Sequence, residues 1–313
     1  MSSTTTTPDV QTDNLAVIAG KPKPKRRRRT KAAMGELYDA IMAVCAEHQP
    51  LTVRQAFYRL VVAGVIEKTQ KEYKNTVVPA IGKLRDDGVM PFSWIVDNTR
   101  LMRKPDSYDT LADMLQRQQD FYRKNIWATQ DAYVEIWCES DSAAGVLAPI
   151  TQKWDVPLMA ARGFSSKTFL HGAALTIRWE YKPAYLYYFG DYDPSGVHID
   201  RNIEAGLHRY GADDFEFRRI AVTPEQIEEL SLPGTPPKKT DSRSRNFEGD
   251  AVEIEAIAPG DLRDICERCI TEHIDDDALD RTRKVEEAEQ ETLDMIVDLA
   301  HDDIQRLNEG LDD

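Results

Sequence analysis

Apolar positions change their spacing along this chain, and the change divides it. Leu37, Ile41, Val44 and Cys45 recur every three to four residues and predict a helix from near Ala33 that stops before Pro50. Thr52 reads as the N-cap of a second helix, with Val53, Phe57, Leu60 and Val61 as its apolar face and Gly64 as its end. A third helix is expected over Thr76–Asp87, with Pro79 in its first turn and Val77, Val78, Ile81 and Leu84 inward. Gly88-Val-Met-Pro91 then turns into a short extended piece, Phe92–Val96. After a polar stretch from Arg103 to Lys124, expected as a connecting helix, the pattern becomes strand-like. Tyr133–Trp137, Val156–Met159, Tyr185–Phe189 and Phe215–Val222 are short runs of β-branched and aromatic residues. Helical patterns at Ser142–Lys153, Thr168–Tyr181 and His198–Tyr210 separate them, and the chain ends in acidic helix.

Three small helices followed by a short extended element match a winged helix, which sets one helix against DNA. Strands alternating with helices predict a parallel sheet with right-handed crossovers. The expected organisation is therefore α/β, in three parts. Residues 1–32 form an arm, residues 33–125 a helical winged-helix domain and residues 126–313 a Rossmann-like domain with acidic C-terminal helices.

Composition narrows the partners. The 313 residues carry a net charge of −14, unevenly placed. Lys21 to Lys31 holds eight cations and no anion, whereas residues 250–313 carry a net −16. Net charge therefore does not exclude nucleic acid, because phosphate binding needs only a local cationic stripe. The arm, with Lys25, Arg26, Arg27, Arg28 and Arg29, reads equally as a nucleic-acid contact or as a solubilising or targeting tail. No apolar run approaches the ~18 residues of a membrane helix, and the Ser/Thr-rich start lacks a signal-peptide core. Four scattered cysteines suit a reducing cytosol.

Two strands end in acids. Tyr133–Cys138 runs into Glu139-Ser-Asp-Ser142, and Tyr185–Phe189 runs into Gly190-Asp-Tyr-Asp-Pro-Ser-Gly196. Reacting groups in open α/β sheets collect at the carboxyl ends of strands. Glu139, Asp191 and Asp193 together would make an all-oxygen cluster whose repulsion calls for a hard cation such as Mg²⁺, or Mn²⁺ in its place. The competing reading is a turn with Asx caps.

A strand ending in Glu and a later strand ending in Gly-Asp-x-Asp-Pro-x-Gly resemble the Toprim domain of topoisomerases, primases and related nucleases. The likeness extends to the A subunit of DNA topoisomerase VI and the meiotic double-strand-break transesterases, in which a winged helix with Thr-x-Arg-x-x-(Phe/Tyr)-Tyr precedes the Toprim domain. Here Thr52-Val-Arg54-Gln-Ala-Phe57-Tyr58 stands in that place. Ala161-Arg-Gly-Phe-Ser-Ser-Lys-Thr168 is similar to the family's Gly-rich segment, and Val252-Glu-Ile-Glu-Ala-Ile257 to its late Glu-x-Glu-Ala segment. The match covers about residues 50–260, in order. It implies a Mg²⁺-dependent transesterase that cuts double-stranded DNA through a 5′-phosphotyrosyl link. It also implies a homodimer with sites shared between protomers, a separate ATPase subunit for any strand passage, and a cytoplasmic, nucleoid-associated place of work.

Arg54 and Tyr58 are four apart and share a helix face, so Arg54 is expected to lower the phenol's pKa and contact phosphate. The alternative is a Tyr58 that packs at the border of the apolar face. The catalytic set is thus Tyr58, Arg54 and Glu139, and the metal set Glu139, Asp191 and Asp193. Lys238, Lys239 and Arg243 form a basic loop suited either to backbone phosphate or to plain solvent. Glu253 and Glu255 read as structural or as supports of the metal ligands, and Asp141 as a metal aid or a helix cap. Cys266-Glu-Arg-Cys269 is a single CxxC, a weak zinc signal. The chain has no Gly-x-x-x-x-Gly-Lys-Ser/Thr loop for ATP. A nuclease that uses water, and a non-catalytic DNA-binding scaffold, remain competing readings.

Overall fold

The computed structural model describes residues 29–96, 105–161, 165–237, 247 and 249–309, with side chains through 301. Four strands, β1 (Tyr133–Cys138), β2 (Leu158–Ala160), β3 (Ala184–Phe189) and β4 (Phe215–Ala221), form an all-parallel sheet in the order β2-β1-β3-β4. The crossovers are α6 (Asp141–Lys153), α7 (Lys167–Glu180) and α8 (Gly196–Arg209), and the short α9 (Pro224–Glu229) follows β4. All six residues of β1 are buried, as expected for a central parallel strand covered on both faces. One face packs Tyr133, Trp137, Leu186 and Tyr188 against α7 and α8. The other packs Val134, Ile136, Tyr187 and Phe189 in a core that runs on through α6 and α10 (Pro259–Thr271) into the N-terminal helices.

Those N-terminal helices are α1 (Lys31–His48), α2 (Val53–Val62), α3 (Gln70–Glu72) and α4 (Val78–Asp86). The third helical run starts earlier than the expected Thr76, because the Thr69 hydroxyl accepts the Glu72 N–H at 3.1 Å and caps it there. A π turn over Tyr73–Val77 then links α3 to α4. Its wider loop accommodates Pro79, which has no N–H to donate and whose ring crowds the preceding turn. The piece Phe92–Val96, expected as extended, is instead a 3₁₀ turn over Phe92–Trp94. Only Ile95 pairs, in a parallel bridge with Leu51, since Thr52 already caps α2 and ends any strand there.

The connecting helix expected over Arg103–Lys124 is shorter, α5 (Leu111–Phe121), started by a Thr110–Asp113 capping box. It lies along α11 (Asp276–Glu309), the acidic helix that follows α10, and Lys124 pairs with Glu289 at 2.9 Å.

Glu135 sits fully buried in the middle of β1, accepting from the Tyr133 hydroxyl and the Trp137 indole N–H, both at 2.7 Å. Burial pushes its carboxyl up to about 7, the two hydrogen bonds only partly offsetting it. Because the folded value lies above the ordinary one, its stability contribution is whole at low pH and is lost as pH rises through about 7. Wild-type unfolding free energy should fall by roughly 3 kcal/mol from this group between pH 4.5 and 8. Glu135→Gln, which keeps an acceptor for the indole and offers the phenol a donor, should remove that part of the slope. Urea titrations of both proteins across this range check it, and parallel pH profiles would refute it.

Candidate active site

The strand order reverses direction between β1 and β3: β2 lies on one side of that pair and β4 on the other. The crevice at their carboxyl ends is therefore the topological switch point, where open α/β sheets place their ligands. Glu139 leaves β1 there, its N–H donating to the Phe189 carbonyl at 3.0 Å. Glu139 Oε2 accepts the Asp191 N–H at 3.0 Å, which ties the two strand ends together. Asp191 Oδ1 accepts the Ile254 N–H at 2.9 Å. Asp193 Oδ1 accepts the N–H groups of Ser195 and Gly196 at 2.8 and 2.6 Å at the start of α8. Each carboxylate is thus oriented through one oxygen by a backbone donor. The Asp-x-Asp-Pro-x-Gly turn is real as well: a Cβ at Gly196 would stand 2.2 Å from the Asp191 carbonyl oxygen, so only glycine lets the loop close.

More acids gather at this end. Paired N–H···O bonds between Tyr192 and Val252 bring in the 3₁₀ turn Ile254–Ala256 with its flanking Glu253. Glu255 is buried and accepts from the Ser142 hydroxyl at 2.9 Å. Burial, followed by repulsion from Glu255 and Glu139, holds the Asp191 carboxyl well above the usual range. Burial likewise raises Glu139, with Asp193 and Glu255 adding to it and Arg219 opposing. Asp141 opens α6 behind the cap made by Ser140.

Among the described residues, no three His, Cys, Asp or Glu side chains stand close enough to count as a ready ligand set. The donor chemistry nonetheless fits the Mg²⁺ that the resemblance implies. Glu139 and Asp191 are desolvated and crowded, Asp193 is half-buried, and the free oxygens of all three are of the kind a hard cation takes. Beside them the hydroxyl of Tyr188 is fully buried, with no hydrogen-bond partner among the described residues. A cleft of ≈250 Å³ opens onto the acids, lined by Asp191, Asp193, Ser195, Thr235, Pro237 and Glu253.

Helix α2 docks on the same turn. Its start is fixed by a capping box, Thr52 Oγ1 accepting from Gln55 N–H and Gln55 Oε1 from Thr52 N–H. Arg54 pairs with Glu253 at 2.6 Å, and Arg59 donates to the Ala256 carbonyl. Glu253 lies close enough to the Tyr58 phenol to oppose its ionisation. Tyr58 is only 2% exposed, with the Lys68 ammonium 5.1 Å from its ring centre. One chain therefore brings the tyrosine and the acids together. The expected lowering of its pKa by Arg54 does not prevail: burial first, then Glu253, raises the phenol above its ordinary value. Arg54 is engaged with Glu253, and its pull on the phenol is outweighed.

Other sequence candidates fall elsewhere. Arg29 pairs with Glu72 at 3.0 Å beside the π turn. Lys25, Arg26, Arg27, Arg28, Lys238, Lys239 and Arg243 lie outside the described residues. Cys266 and Cys269 are buried in α10, and burial raises both thiols, Cys269 to about 12, as for packed apolar side chains. Sequence reasoning missed Arg219. Its guanidinium pairs with Asp200 at 2.7 Å and donates to the carbonyls of Gly190 and Asp191, both at 3.2 Å, and of Gly196 at 2.8 Å. It thereby clamps both ends of the loop that carries the aspartates. The available signal was an arginine in register with Phe215 and Phe217, on a strand face otherwise apolar.

Asp191→Asn keeps the acceptor for Ile254 and removes a buried repulsion. Without added metal the variant should be more stable than wild type at neutral pH, because burial and the neighbouring Glu255 and Glu139 oppose ionisation of Asp191. The gain should vanish below the ordinary carboxylate range, because a raised carboxyl costs stability only at pH values where the unfolded group is ionised. Mg²⁺ or Mn²⁺ should raise the melting temperature of wild type and leave the variant unmoved, as scanning calorimetry would show. Equal shifts in both would remove Asp191 from the metal set. No protein-family model matches this chain, and no curated protein does either.

Proposed function

We propose that this chain is a Mg²⁺-dependent DNA-cleaving transesterase of the topoisomerase VI A type, with α1–α4 acting as a winged helix and the parallel sheet as a Toprim domain. The observation that supports this most is the docking of α2 on the acidic crevice, through Arg54 on Glu253 with Tyr58 beside it, at the switch point of the sheet. Glu139, Asp191 and Asp193 would hold Mg²⁺, which when bound supplies positive charge for phosphate oxygens and for the departing 3′ oxygen. Arg54 exchanges Glu253 for a phosphate oxygen. Glu253, beside the phenol, accepts its proton as the Tyr58 oxygen attacks phosphorus. A phosphotyrosyl bond forms, the bond from phosphorus to the 3′ oxygen breaks, and that oxygen takes a proton from solvent to become the free hydroxyl.

The raised pKa of Tyr58 accords with this order of events, since the nucleophile is neutral until DNA displaces its surroundings. Its burial also favours a second reading, in which water attacks the phosphodiester and Tyr58 serves packing. Double-stranded DNA is the partner in either case, and strand passage would require a separate ATPase subunit. No helix among the described residues is long and apolar enough to cross a membrane, which is compatible with work on DNA in the cytoplasm.

Trapping with denaturant in the presence of Mg²⁺ separates the readings. Wild type should leave protein covalently bound to DNA 5′ ends, and Tyr58→Phe, which keeps the ring, should leave none. Cut ends without an adduct in both proteins would establish hydrolysis by water, and intact DNA in both would leave a binding scaffold. Mixing Tyr58→Phe with Asp191→Ala protein reports whether chains share a site: nicking returns only if tyrosine and acids act between protomers. Removing residues 1–28 should flatten the salt dependence of DNA binding, each lost phosphate contact changing the log–log slope by about 0.9. An unchanged slope would assign the arm another task.

A further inference from the structure

The hydroxyl of Tyr188 is fully buried and meets no hydrogen-bond partner among the described residues. Such a group costs stability unless something engages it. Its place in the sheet shows what lies within reach. Tyr188 stands beside Trp137 in the ladder of β1 and β3, and both pack towards α7 and α8. A pleated strand turns alternate residues to one face, so Glu139, two beyond Trp137, sets out on that same face. The Tyr188 ring leans along its own strand over Gly190, where a Cβ would stand 2.7 Å from the hydroxyl oxygen. Gly190 continues the register opposite Glu139, one strand spacing of about 4.8 Å away. The hydroxyl therefore ends beneath the acidic crevice.

The charges around it single out one acceptor. After burial, Glu139 is the strongest influence on the phenol, Asp200 and Asp191 add to it, and Arg219, 5.1 Å from the ring centre, opposes them. Asp200 is engaged through both oxygens, by the Arg219 guanidinium and the Arg201 N–H. Asp191 turns Oδ1 to the Ile254 N–H. Glu139 gives Oε2 to the Asp191 N–H, and its Oε1 accepts no hydrogen bond among the described residues. An unused donor thus stands beside an unused acceptor. We infer that Tyr188 is a positioning residue for the cation site: its hydroxyl donates to Glu139 Oε1, directly or through one buried water, once a cation orders that carboxylate. A carboxylate oxygen has two lone pairs, so the second stays open to the ion. Outer hydrogen bonds of this kind orient the ligands of a metal and tune its affinity. The inference rests on the reading of the acidic crevice as a cation site.

Calorimetric titration of Mn²⁺ into the full chain, with thermal melting of the metal-free protein alongside, tests it. Tyr188→Phe keeps the ring and removes only the hydroxyl. It should weaken Mn²⁺ binding about tenfold. Without metal it should melt no lower than wild type, because the group removed had no partner to lose. Tyr187→Phe is the control: its hydroxyl faces Glu272 and His273 on the other side of the sheet, so its Mn²⁺ affinity should match wild type. Equal Mn²⁺ affinity in wild type and Tyr188→Phe would leave the cation site standing and refute the role of Tyr188. A metal-free Tyr188→Phe protein that melts lower would make the hydroxyl a structural one. An equal loss of affinity in Tyr187→Phe would trace the effect to the strand instead of the hydroxyl. A wild type that binds no Mn²⁺ would overturn the reading of the crevice and this inference with it.

Discussion

Repulsion among buried carboxylates at one end of the sheet is the constraint around which this molecule is arranged. Glu139, Asp191 and Glu255 are desolvated together, and each raises the cost of ionising the next. Such a cluster persists only when surrounding structure over-determines it. Here the restraint comes from backbone donors at Asp191, Ile254, Ser195 and Gly196, and from two arginines. Arg219 clamps the loop by its carbonyls, and Arg54 neutralises Glu253 from the neighbouring helix. An acidic crevice costly to keep is the feature expected of a binding or reacting site rather than of a packed core.

The same electrostatics joins the two halves of the chain. Helix α2 touches the sheet region through charged and polar contacts, Arg54 with Glu253 and Arg59 with the Ala256 carbonyl, while apolar side chains beneath run on into the sheet's core. An anionic ligand entering the crevice would compete with Glu253 for Arg54, and a cation would compete with Arg54 for the acids. Either event would loosen the contact that keeps Tyr58 covered. The burial of Tyr58 and a nucleophilic role are therefore compatible, provided that the helix–turn contact is the element that gives way.

Much of the architecture was legible from spacing. The four strands and the helices between them follow from the alternation of β-branched and aromatic runs with amphipathic stretches, and the all-parallel order follows from that alternation. Errors fell where a single residue admits two local solutions. Pro79 suggested a helix start, yet a π turn carries the helix through it; Phe92–Val96 looked extended, yet only Ile95 finds a partner. For the site, the strand-end acids Glu139, Asp191 and Asp193 were visible because residue type and strand end coincide.

By itself, then, the sequence determined the kind of fold, the strand ends that carry acids, and a helix bearing Arg54 and Tyr58 on one face, because these depend on local period and composition. Only the tertiary structure decided which groups meet. The docking of α2 on Glu253, the burial of Tyr58, the reversal of Arg54's expected effect on it and the clamp of Arg219 all depend on contacts between residues far apart in the chain. The interaction between Arg54 and Glu253 spans 199 positions. No local pattern encodes the desolvation that such contacts impose, and desolvation is the largest influence on the ionisation of Glu139, Asp191 and Tyr58.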